Sequence, residues 1–78
     1  MKVFEIKVTG KSGDVGTYSI AAKDDLVARE KAVKLWVKYF NAEMREAAQA
    51  DGTPVKASDL YSEKDVLYCE TRFVTETR

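Results

Sequence analysis

The chain has 78 residues, with thirteen Lys or Arg against thirteen Asp or Glu and a net charge of zero. That length builds one domain, 1–78, with a small core, and the charge balance excludes a strongly acidic DNA mimic and gives no global basic signal for nucleic acid. A single cysteine excludes an internal disulfide and fits a reducing compartment.

Residues 2–9 alternate, with Phe4, Ile6 and Val8 on one side and Glu5, Lys7 and Thr9 on the other. Period two is the mark of a half-buried strand. The same alternation denies the segment the continuous apolar run of a signal peptide, and nothing in the chain reads as a membrane span, so the expected location is the cytoplasm. GKSGDVG at 10–16 is turn chemistry, with three glycines able to supply positive-φ positions. Residues 17–22 alternate again, burying Tyr18, Ile20 and Ala22. Two strands about one short loop predict an antiparallel hairpin.

Residues 25–50 predict one long helix. The run lacks Gly and Pro, and its Ala, Glu, Lys, Arg and Leu lose little rotamer freedom on becoming helical. Asp24 or Asp25 can cap its start, Gly52 can take the left-handed position after its end, and Pro54 blocks continuation. At about 100° per residue, Ala28, Ala32, Leu35, Trp36 and Tyr39 form one apolar row. Leu26, Val33, Val37, Phe40 and Met44 form a second beside it, and Lys31, Lys34, Lys38 and Arg45 lie opposite. The combined arc is wider than one small sheet requires. Either the loop at 51–64 folds back over the excess, or part of the second row meets another chain.

The connection at 51–65 is long for so small a domain. Its apolar anchors are Val55, Leu60 and Tyr61, and Ser58 can cap a single turn. Residues 66–74 predict the third strand. Leu67, Cys69 and Phe73 are placed inward because they carry no charge; Val66, Tyr68, Glu70, Arg72 and Val74 are placed outward. The expected fold is α+β, in the order β-β-α-β: one long helix on a three-stranded antiparallel sheet of order 2-1-3. Trp36 is expected to be buried beside Phe4, Ile6 and Phe73.

Catalytic groups are sparse. The chain has no histidine, and so lacks the commonest general base and metal ligand. Cys69, in mid-strand, reads as a structural thiol rather than a nucleophile. The pairs Asp24/Asp25 and Glu63/Asp65 fall where capping and solvation explain them. No Walker A, dinucleotide-binding or zinc spacing occurs, and GKSGDVG is not followed by a helix N-terminus that could hold phosphate. The expectation is no enzyme, no cofactor, no metal and no membrane partner. Two surfaces remain. Lys31, Lys34, Lys38 and Arg45 make either a solvated face or a contact for an acidic partner or a phosphate backbone. Val66, Tyr68, Glu70 and Arg72 are the candidate protein-binding set; Tyr68 and Arg72 suit a hot spot, or base stacking.

The run Tyr18-Ser19-Ile20-Ala21-Ala22-Lys23-Asp24, followed by Ala28, Ala32 and Leu35-Trp36 at helical spacing, resembles small phage-encoded inhibitor proteins. Some anti-CRISPR proteins and the phage T7 inhibitor of bacterial RNA polymerase are of this kind. The resemblance covers roughly residues 2–40, lies in the topology, and carries over no binding residue. It implies a non-catalytic protein that blocks a host complex by surface contact; the zero net charge departs from the acidic, DNA-mimicking members. The function expected is therefore protein binding to a host complex or to itself as a dimer. The alternative is a nucleic-acid-binding module on the basic helix face.

Overall fold

The structure, a computed structural model, describes residues 1–56 and 60–76. Strands β1 (Lys2–Gly10) and β2 (Val15–Ala22) precede helix α1 (Asp25–Asp51), and a 3-10 turn (Glu63–Asp65) leads into strand β3 (Val66–Glu76). The three strands form one antiparallel sheet in the order β2-β1-β3, as the α+β reading requires.

Alternation decides the core. Phe4, Ile6 and Val8 of β1 and Ile20 and Ala22 of β2 are buried against Ala28, Ala32 and Trp36 of α1. The two alanines, one turn apart, put only a methyl group between helix and sheet, so the backbones can approach closely there. Asp24 caps the helix as expected, its carboxylate accepting the Val27 N–H at 2.9 Å. At the other end Gly52 is left-handed, with φ 69°. The Thr53 N–H then reaches the Ala48 carbonyl at 2.9 Å, which satisfies a carbonyl the ending helix would leave bare.

The helix runs back along β1 from Lys2 toward Gly10, so Trp36, buried as expected in one core with Phe4 and Ile6, stands apart from Phe73, its third expected neighbour. Phe4 and Phe73 pack edge to face at 5.8 Å, beside the helix start at Asp24 and Asp25. Eleven residues of helix cover about 16 Å at 1.5 Å each, so Trp36 arrives near the far end of β1. There its indole lies on bare backbone. A Cβ at Gly10 would stand 2.4 Å from the ring, and one at Gly16 would stand 2.9 Å from it. Of the three glycines in the hairpin loop, only Gly13 has a positive φ; the other two make room for the tryptophan.

The wide apolar arc of α1 is partly answered by the 51–65 connection. The Tyr61 ring stacks on Phe40 at 3.9 Å and 7°, and on Trp36 at 5.1 Å. Asn41 holds the Tyr61 backbone at both ends, donating to its carbonyl at 2.9 Å and accepting its N–H at 2.8 Å. The Tyr61 hydroxyl meets Ser12 and Asp14 of the hairpin loop. Ser58, the expected cap, lies outside the described residues. The turn that forms is Glu63–Asp65, with the Ser62 N–H bonded to the Asp65 carboxylate at 2.8 Å.

Two irregularities in the β1–β3 ladder correct the expected faces of β3. Register slips between Thr9 and Gly10, where Tyr68 and then Val66 are the partners, and again between Val3 and Phe4, where Thr75 and then Phe73 are. Leu67 and Val74 are the extra residues. An inserted residue flips the parity of what lies beyond it. Val66 therefore packs against the core instead of facing out, and Leu67, expected inward, is 62% exposed. Phe73 is on the helix side, as expected, but is 55% exposed because α1 lies mainly over β1 and β2.

Candidate protein-binding site

β3 is an edge strand, and its outer face is a patterned surface. On that face Glu5 of β1 stands opposite Arg72, and Lys7 stands opposite Glu70. The Arg72 guanidinium donates to the Glu5 carboxylate at 3.2 Å. Both partners are well exposed, so the pair is worth at most about 1 kcal/mol. Tyr68 stands opposite Thr9. Leu67, Tyr68, Phe73 and Val74 are all exposed large apolar residues, gathered on one strand. Of the four residues singled out from sequence, the structure gathers Tyr68, Glu70 and Arg72 on this face and removes Val66 to the core side.

Sequence reasoning set Glu5 and Lys7 on this open face and missed Leu67, which it placed inward. The bulges that expose Leu67 leave no signature in a single sequence. The charges were legible: Glu5-x-Lys7 set antiparallel to Glu70-x-Arg72 pairs unlike charges in both rows.

The basic helix face is divided. Lys31, Lys34 and Lys38 line a groove of about 440 Å³ with Ser19, Ile20, Ala21 and Leu35, along the edge of β2. Lys31 Nζ donates to the Ala21 carbonyl at 3.2 Å. Arg45, exposed farther along α1, is not part of that groove. A helix lysine bonded to the backbone of an edge strand covers part of that edge, so Lys31 has a structural occupation beside any ligand it could take.

Cys69 faces the helix side and is half buried. Burial pushes its thiol above the usual range, with the Arg29 guanidinium pulling weakly the other way; a thiol that holds its proton is a poor nucleophile. Beside it, Arg29 Nε donates to the Thr71 hydroxyl at 2.7 Å, tying α1 to β3. Among the described residues no group of three or more His, Cys, Asp or Glu is placed to hold a metal ion, and no helix is long and apolar enough to cross a membrane. Comparison of the chain with family models, curated proteins and solved structures finds no match.

Proposed function

We propose that this chain is a non-catalytic binding protein that inhibits or modulates a larger macromolecular complex, such as a CRISPR effector or RNA polymerase of a bacterial host, by direct protein contact at β3. The observation that supports this most is the concentration of exposed Leu67, Tyr68, Phe73 and Val74 on an edge strand, with Arg72 held among them. Aromatic and arginine side chains dominate binding hot spots, and an unguarded edge offers backbone groups to a partner. The resemblance of residues 2–40 to small phage-encoded inhibitors supports the host-directed part of the reading. The lack of histidine supports the non-catalytic part.

The test is affinity capture from a bacterial lysate with the parent chain and with the double variant Tyr68→Ala, Arg72→Ala. The double variant is expected to lose the captured complex while keeping its far-UV circular dichroism and its melting temperature. Retained capture by the folded double variant moves the contact off β3. The competing reading, nucleic-acid binding by Lys31, Lys34, Lys38 and Arg45, draws on the three lysines that share one groove. Gel shifts with duplex and single-stranded probes decide it: micromolar binding that weakens steeply with salt would replace the protein-contact reading.

A further inference from the structure

We propose that the edge of β3 pairs with the β3 edge of a second copy, antiparallel, with Thr71 on the two-fold axis, giving a continuous six-stranded sheet. This rests on the reading of β3 as a contact strand and gives its backbone edge to a second copy, the outer side chains remaining for the larger complex.

Three observations select the partner and the register. The two sheet edges differ. Neither edge strand carries a lysine, but α1 lays Lys31, Lys34 and Lys38 beside β2, with Lys31 on the Ala21 backbone carbonyl, whereas at β3 the helix's Arg29 bonds a side chain, the Thr71 hydroxyl. Second, the ladder of β3 is regular only between its two slips, over residues 68–73, so pairing must be centred in that stretch. Third, the stretch is complementary to itself. In an antiparallel pair, residues directly opposite share a face, so only registers that match outer with outer and inner with inner are open. Centring on Glu70 sets two carboxylates against each other, and centring on Arg72 sets two guanidiniums together. Centring on Thr71 sets Glu70 against Arg72 of the other copy twice over, as a two-fold interface demands.

That register also extends the charge pattern already present within one copy. Across the outer face a row then reads Lys7, Glu70, then Arg72 and Glu5 of the second copy, with signs alternating at every step. The symmetric row runs the other way. Cross-strand pairs of unlike charge stabilise a sheet and like pairs destabilise it, by up to about 1 kcal/mol each. On the helix side the half-exposed Phe73 meets Cys69 of the second copy, which covers apolar surface that α1 leaves bare.

The test is light scattering on the eluting full chain across micromolar to millimolar concentrations, with the variants Glu70→Arg and Arg72→Glu. The parent is expected to dimerise. Each variant alone places like charges opposite each other twice, and its dimerisation is expected to weaken about tenfold to a hundredfold. Mixed in equal amounts, the two variants set the introduced arginine against the introduced glutamate and the native Arg72 against the native Glu70. A heterodimer close to parental affinity is expected, and it also reports that both variants are folded. A monomeric parent overturns the proposal, and so does a mixture no tighter than either variant alone. Lysate capture that persists with a monomeric parent, and is lost in the Tyr68→Ala, Arg72→Ala variant, would leave the protein-contact reading standing while the dimer falls.

Discussion

At the scale of single residues, Trp36 organises the hairpin end of the molecule. It is nearly fully buried, roofed by Tyr61 and Phe40 and floored by the backbone at Gly10 and Gly16. Truncating a large buried aromatic costs about 3–5 kcal/mol, a large part of the roughly 5–15 kcal/mol that holds a domain together. Trp36→Ala is therefore expected to leave the chain mostly unfolded near physiological temperature. Gly10→Ala asks the same contact a different question, because its methyl would sit 2.4 Å from the indole. Overpacking of this kind costs about 1–3 kcal/mol. Denaturant melts should rank the parent first, Gly10→Ala next and Trp36→Ala last. A neutral Gly10→Ala would mean that the indole does not rest on that backbone.

At the scale of elements, α1 outruns the sheet it covers. Its 27 residues span about 40 Å at 1.5 Å per residue, against about 30 Å for the nine residues of β1 at roughly 3.3 Å each. Beyond Trp36 it has no buried residue. Its start is therefore held by tertiary packing plus a cap, its end by local helix propensity and the Gly52 turn. Asp24→Ala removes the acceptor for the Val27 N–H and should cost about 1 kcal/mol. Because Ala28 and Ala32 are packed one turn and two turns along, that loss should appear as a lower global melting midpoint. Hydrogen exchange at 42–51 should change little, since those amides open locally without unfolding the core.

For the molecule as a whole, one ionic clasp closes the hairpin loop onto the start of β3. Lys11 Nζ meets the Asp65 carboxylate at 2.9 Å, and the Lys11 N–H donates to the Asp65 carbonyl at 2.9 Å. The hydrogen bond from Lys11, with the Ser62 N–H, holds the Asp65 carboxyl below its ordinary value. The same hydrogen bond and the charge of Asp65 hold Lys11 above its own. The carboxylate's contribution to stability is thus complete above the ordinary carboxylate range and is lost as pH falls through the depressed folded value. The lysine's is complete below its unfolded value and is lost as pH rises through the raised one. Asp65→Asn should melt below the parent at neutral pH, and the gap should close as the solution is acidified. A gap that stays constant with pH would assign the loss to packing, not charge.

The sequence by itself determined the elements and their order. Period-two alternation in β1 and β2, the long run free of Gly and Pro in α1, and the acidic cap at Asp24 act over a few neighbouring residues, so the fold class and the strand order could be read from them. The candidate surface was half legible. Tyr68, Glu70 and Arg72 stood out by residue type and alternation, and the unlike charges of β1 and β3 could have been matched by reversing one against the other. Tertiary structure decided the rest. The slips at Leu67 and Val74 moved Val66 to the core side and exposed Leu67, because a bulge depends on how two distant strands fit and not on either alone. Trp36 came to rest on Gly10 and Gly16, not beside Phe73, because a helix advances less than half as far per residue as a strand. The packing of α1 across the sheet likewise brought Lys31 to the Ala21 carbonyl of β2 and Arg29 to the Thr71 hydroxyl of β3, contacts that no local pattern announces.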